Sequence, residues 1–253
     1  MPIRNTETSR VRNIPLFRGA NDSAFAMALS GAFLQRFPAG TTLLMEGDSV
    51  DFLYILLEGA VELGASWKSK DTTLAIIRPV STFILAAVVL DSDALMSAST
   101  LERSEILMVP GESLRRAMKG DANFCFAVSE ELAGCYRGLV RSVKNHKLRD
   151  STERLANYLL TQRARQGGKD TILLPHEKRV LASLLGMTPE NLSRAFAKLS
   201  AQGVSVDGAQ VPPGQRRELV GVRAVAAVEE HAVHGHAGLD HRQRDGGGQR
   251  RIH

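Results

Sequence analysis

The sequence predicts an α+β protein in three parts: a small antiparallel β-roll, one long helix, and a helical domain closed by a hairpin. Three observations predict it. From about Phe37 to Pro110, short apolar or alternating runs are separated by Gly, Pro, Asp and Ser. From Asp121 to about Lys147, apolar residues recur every three or four positions over one unbroken stretch. Beyond Asp150, shorter helical patterns end in an alternating run.

The strands are the segments "TTLLMEG", "DFLYILLEGAVELGAS", "TTLAIIRP" and "EILMVP", with glycines 40, 47 and 59 at turn positions. A helix over roughly 21–34 precedes them and "GESLRRAMKG" follows as a short helix. In the long helix, Cys125, Val128, Leu132, Cys135 and Leu139 lie on a heptad-like seam that a lone helix cannot hide. Val128, Leu132, Cys135 and Leu139 are therefore predicted as a homodimer interface, burial against the roll being the alternative. Asp150-Ser151-Thr152 ends that helix and caps the next, "ERLANYLLTQRARQ". A strand "TILLP" follows, then helices over 176–185 and 189–201, then "GVSVDGAQV" as a hairpin about an Asp207-Gly208 turn. The predicted divisions are 1–120 (sensor roll), 121–149 (dimerisation helix), 150–210 (winged DNA-binding domain) and 211–253 (an atypical tail).

Composition narrows the function. Hydrophobic residues make up 43% and charged residues 23% of the 253, as in a globular protein. "STFILAAVVL" is far short of the roughly 20 apolar residues a bilayer requires, and the N-terminus lacks the apolar core of a secretion signal. No membrane association and a cytoplasmic location are the expectations. Two cysteines cannot form a disulfide framework, and no metal-ligand spacing, phosphate loop or nucleophile elbow occurs in 1–210, so no catalytic residue and no metal site are expected. A net charge of +5 permits nucleic acid as a partner, and "RGLVRSVKNHKLR" carries five Lys/Arg and no acid. From Val211 onward the chain has no Lys, Phe, Met, Ser, Thr or Asn but seven Gly, seven Arg and five of the seven His. That composition predicts disorder, and it also arises when a GC-rich gene is read out of frame. Sequencing the gene across codon 210 decides between them.

The stretch "LLGMTPENLSRAFAKLSAQGV" has the pattern of a helix–turn–helix. Gly186 takes the turn, Thr188 is a cap, and Pro189 suits the first helical position. Leu192 and Ala195 face inward, which leaves Glu190, Ser193 and Arg194 on the outward turns that enter a major groove. Arg194 can give a guanine two hydrogen bonds, Glu190 can accept from an amino group, and Ser193 can reach a base edge. Thr188, Asn191, Lys178, Arg179 and Lys198 are the candidate contacts to the DNA backbone.

Roll, long helix, hinge, helix–turn–helix and wing, in this order over roughly 14–210, resemble the CRP/FNR superfamily of bacterial transcription regulators. "FPAGTTLLMEGDSVDFLYILLEGAVEL" is similar to that family's cyclic-nucleotide-binding-like jelly roll, and "TPENLSRAFAKL" to its recognition helix. The Glu-x-x-Ser-Arg pattern is that of the FNR-like branch. The resemblance implies a homodimer on double-stranded DNA, TTGA-type palindromic half-sites, and RNA polymerase as a partner. Cyclic-nucleotide-binding relatives carry "FGEL…RxA"; here "FILAAVVLDSDALMSAST" puts Ile84 and Leu85 where Gly and Glu would stand and Leu95-Met96 near the Arg, so cyclic AMP is not expected. The N-terminal cysteine cluster of an iron–sulfur sensor is absent. "RSVKNHKLR" and "LPHEKRVLASLLGMTPENLSRA" look most like the nitrogen-oxide-responsive DNR/NnrR-type branch, which implies haem as the candidate cofactor in an apolar pocket between roll and long helix. No secure iron ligand is evident, His146 and His176 reading as surface or hinge histidines. Cys125 and Cys135 read as small seam residues, with redox pairing across the dimer as the alternative. A regulatory module whose output is not DNA binding is the alternative for the whole chain.

Overall fold

The structure, a computed structural model, describes residues 5–68, 70–168, 171–201, 204–207 and 218–222. The described residues form two compact units, those up to 144 with 179–188, and those of 145–178 with those from 189 on.

In the first unit, helices α1 (Asn5–Arg12) and α2 (Asp22–Ala28) precede eight strands: β1 (Phe33–Phe37), β2 (Thr42–Leu44), β3 (Phe52–Glu58), β4 (Val61–Trp67), β5 (Lys70–Ile77), β6 (Ser81–Phe83), β7 (Ser97–Thr100) and β8 (Ser104–Pro110). Short α3 (Leu85–Leu90) lies between β6 and β7; α4 (Gly111–Gly120) and α5 (Ala122–Leu148) follow β8. Two antiparallel four-stranded sheets, β1-β8-β3-β6 and β2-β7-β4-β5, make the roll. The helix expected over 21–34 ends at Ala28, and Phe33–Phe37 pairs with β8 instead. Gly59, at φ +94°, joins β3 to β4 where a Cβ would sit 2.6 Å from Arg103 O, so only glycine fits.

β3 is apolar from Phe52 to Leu57 because both faces are covered there. Leu53, Ile55 and Leu57 join a core with Phe17, Leu107, Leu114, Phe124 and Val128; Tyr54 and Leu56 join the roll interior with Leu44, Val61, Leu63, Phe83, Ala98 and Ile106. Phe17 stacks on Phe124 at 5.8 Å, and Tyr54 on Phe83 at 5.1 Å. Glu105, 4% exposed, accepts from Arg10 at 2.6 Å and Arg36 at 3.0 Å, which ties α1 to the sheet and keeps the buried charge paired. At the start of α5, Asp121 accepts from the backbone N–H groups of Asn21, Asn123 and Phe124. Those bonds, that of Asn21 foremost, hold its carboxyl below the usual range.

The first half of the predicted seam is core. Val128 is fully buried and so does not lie on an open dimer face, while Leu132 is partly buried against the same cluster. The correction has a physical reason: a seam of period 3.5 is satisfied equally by a partner helix or by the chain's own sheet. Farther along, Tyr136, Leu139, Val140 and Val143 are exposed.

In the second unit, Asp150 caps α6 (Ser151–Arg165) in a reciprocal box with Glu153, as the Asp-Ser-Thr cluster predicts. α6 packs on α8 (Pro189–Ser200), with Leu155, Ala156, Leu159, Leu192, Ala195, Phe196 and Leu199 buried. β9 (Thr171–Leu174), β10 (Val204–Asp207) and β11 (Glu218–Val222) form an antiparallel sheet in the order β10-β11-β9. β10 pairs with 218–222, inside the segment expected to be disordered, and that strand is central; the hairpin expected about Asp207-Gly208 continues into residues outside the described ones. The rest of the predicted tail, including "HAVHGH" at 231–236, lies outside the described residues.

Candidate nucleic-acid interface

α7 (Lys178–Leu184) and α8 are joined by a short turn in which Gly186 has φ +62°, as the sequence predicts. Met187 N donates to Ala182 O at 3.0 Å and Gly186 N to Ser183 O at 2.9 Å, which satisfies the last carbonyls of α7.

On α8 the buried residues 192, 195, 196 and 199 occupy one face. The other face exposes Glu190, Ser193, Arg194 and Lys198 together, at helical spacing. The three predicted base-reading side chains are therefore brought onto one solvent-facing strip. Ser193 Oγ donates to Pro189 O at 3.0 Å, and Arg194 Nη1 donates to Asn191 Oδ1 at 3.2 Å. Sequence reasoning missed the second bond: Asn191, expected to contact phosphate, also orients the guanidinium of Arg194. Its spacing, i−3 on a helix, was the available signal. Thr188, Asn191, Lys178, Arg179 and Lys198 are all exposed.

The sensor is different. Ile84 adopts the left-handed conformation, φ +64°, at the position where glycine would stand. Its side chain and that of Leu85 are buried in apolar cores. Leu95 is 80% exposed and Met96 packs on the roll interior. The buried carboxylate of the roll, Glu105, is committed to Arg10 and Arg36.

Between roll and α5 there is a cavity of about 20 Å³, lined by Ile14, Leu16, Ile55, Ser81, Thr82 and Glu131. Thr82 Oγ1 donates to Glu131 at 2.8 Å beside it. Such a space holds one water. No His, Cys or Met lines it, His146 is exposed on the far end of α5, and no three-ligand metal cluster occurs among the described residues. The residues present there do not fit a haem. Cys125 is partly buried and Cys135 is exposed as a residue; desolvation of its thiol, with the Glu131 carboxylate, pushes the Cys135 pKa up.

Residues 34–121 match the cyclic nucleotide-binding domain, and residues 153–211 match the Crp-like helix-turn-helix domain. The cyclic AMP receptor protein of Thermus thermophilus is 26% identical over 88% of this chain and 98% of its own length. The global nitrogen regulator of a Nostoc species is 24% identical over 70% of this chain and 84% of that protein. Among solved structures, FixK2 of Bradyrhizobium japonicum superposes with a TM-score of 0.67 at 21% identity, covering 79% of this chain and 96% of that one. A CRP/FNR family transcriptional regulator from Thermus thermophilus gives 0.61 at 18% identity, over 79% and 98%. No helix among the described residues is long and apolar enough to cross a membrane. A nucleotide-binding-type roll followed by a Crp-like helix–turn–helix makes this chain a CRP/FNR family transcription regulator that binds DNA.

Proposed function

We propose that the protein is a homodimeric regulator that reads a palindrome of TTGA-type half-sites, one per subunit, with Glu190, Ser193 and Arg194. The observation that carries this reading is the exposed strip of α8, where an acceptor, a hydroxyl and a guanidinium stand side by side over a fully buried apolar face. That is the donor and acceptor set a base edge requires. Lys178, Arg179 and Lys198 neutralise phosphates and position the head, and contact with RNA polymerase turns binding into regulation. Binding by an effector at the sensor shifts the packing of α5, and the break at Asp150 lets the heads match half-site spacing. The test is fluorescence anisotropy of the full chain against a TTGAT-N4-ATCAA duplex and a scrambled one at fixed salt. Tighter binding of the palindrome supports the reading; equal binding of both removes it.

Lys198→Ala should weaken both duplexes alike and reduce the slope of log affinity against log salt by about one per subunit. A loss confined to the palindrome would make Lys198 a base contact instead.

We further propose that cyclic AMP is not the effector. Among the described residues the buried polar groups of the roll are Thr73, Thr82, Thr100, Ser104 and the arginine-paired Glu105, with no buried cation for a phosphate, and an unpaired phosphate in an apolar site costs several kcal/mol. Millimolar cyclic AMP should leave the melting temperature unchanged, and a rise of a few degrees would refute the assignment.

A further inference from the structure

The C-terminal half of α5 is charged on one side and apolar on the other. Arg137, Arg141 and Lys144 follow one another at spacings of four and three, which places them on a single face of the helix. At about 100° per residue that face lies opposite the exposed Leu139. All three cations are exposed, and none makes an ion pair or a side-chain hydrogen bond among the described residues. Elsewhere in the same compact unit Arg10, Arg12, Arg36, Arg78, Arg115 and Arg116 are each paired with a carboxylate. No Asp or Glu occurs between Glu131 and Asp150, so the helix itself does not neutralise the stripe. Arg137, Arg141 and Lys144 all belong to the first unit, which holds the surface complete.

Folding does not account for these charges. Like charges three and four residues apart oppose a helix. The helix dipole rewards cations only in the last turn, and Arg141 and Arg137 stand about two and three turns before α5 ends at Leu148. What the stripe fits is a repeated anion. From Arg137 to Lys144 the helix rises about 10 Å, a length over which a duplex presents about six phosphate charges. A bilayer surface would have to bury the opposite, apolar side of the same helix; the phosphates of a duplex need only the cations. We propose that Arg137, Arg141 and Lys144 form a second DNA-binding surface, separate from α8 and indifferent to sequence, which takes the phosphate backbone of a duplex. Each phosphate it neutralises releases condensed counterions, so it adds to the binding of any sequence and fades as salt rises. Clustered charge of one sign also draws DNA to the protein before any base is read. The surface rests on the DNA binding of the family and is independent of the base-reading assignment of α8.

The test is anisotropy of the full chain with a scrambled duplex, from about 50 to about 200 mM salt. Arg137→Gln/Arg141→Gln/Lys144→Gln should bind that duplex at least about tenfold more weakly at the low end. Its slope of log affinity against log salt should be smaller by about two to three per subunit. Glutamine keeps helix propensity at exposed positions, so the melt followed by circular dichroism should be unchanged. Arg141→Gln alone, the mildest change, should lower the slope by about one. Lys68→Gln/Lys70→Gln/Lys119→Gln, which removes three exposed charges elsewhere in the unit, should leave the slope as it was. An unchanged slope in the stripe variants overturns the surface. An equal loss in the control overturns it too, by reducing the effect to net charge. Intact DNA binding with lost binding to phosphatidylglycerol vesicles would overturn it in favour of a lipid surface. A wild type that fails to prefer the palindrome removes the base-reading role of α8 and leaves the stripe to be judged on scrambled DNA alone.

Discussion

Arg194→Ala is expected to erase the preference for the palindrome while leaving most of the affinity for random duplex. A bidentate guanidinium–guanine contact discriminates by roughly 1–3 kcal/mol, and a dimer would make two, so selectivity should fall by about 30-fold to 10⁴-fold. Binding to random DNA is carried by phosphate contacts, which the substitution leaves in place. The fold should survive, because Arg194 is exposed while the adjoining Ala195 and Phe196 hold the helix down. Asn191, which accepts from the Arg194 guanidinium, adds orientation rather than a base contact of its own. Anisotropy against both duplexes at about 0.15 M salt reads the result. Equal losses on both would assign Arg194 to the phosphates and leave base reading to other residues.

The second large effect is expected at Leu139. In the single chain it is 61% exposed, with Tyr136, Val140 and Val143 exposed on the same half of α5. A contiguous apolar face on a long helix is costly in water and is the usual mark of a partner. Added side-chain atoms at Gly134 or Gly138 would meet nothing in this chain, so their bare backbone also stands open to a close-approaching helix. Leu139→Glu would bury two uncompensated carboxylates near one another across a symmetric interface. Sedimentation velocity should then show a monomer that still melts cooperatively and has lost cooperative binding to two half-sites. Glutamate at Val128, which is fully buried in its own core, should unfold the sensor instead. A dimer that survives Leu139→Glu would place the interface elsewhere.

Much of this molecule is legible along the sequence because its signals are local. The glycines at 40, 47 and 59 all adopt positive φ in turns, and the Asp150–Glu153 box falls where the cap was expected. The strip Glu190, Ser193, Arg194 follows from one helical period and one apolar face. Other features are less visible. The pairing of β10 with Glu218–Val222 spans a polar insertion, and no periodicity announces a strand that distant. α1 is polar and is held by Arg10 on Glu58 and Glu105, residues far away in the chain. Val128 and Leu139 look alike in the heptad count, and only the position of the sheet separates core from open face. The apolar residues from Leu85 to Leu90 give no sign that the backbone before them turns left-handed at Ile84.

α5 is embedded at one end and bare at the other. Its 27 residues make a rod of about 40 Å, gripped over its first turns by Phe17 stacked on Phe124 and by Val128. From Leu132, the last residue packed on that core, to Lys144 the free arm is about 18 Å, so a tilt of only about 5° in the grip sweeps the far end through about 1.6 Å. The helix therefore has mechanical advantage. A rearrangement of side chains too slight to open a cavity at its root is geared up into a displacement comparable with the width of a hydrogen-bonded contact at its tip.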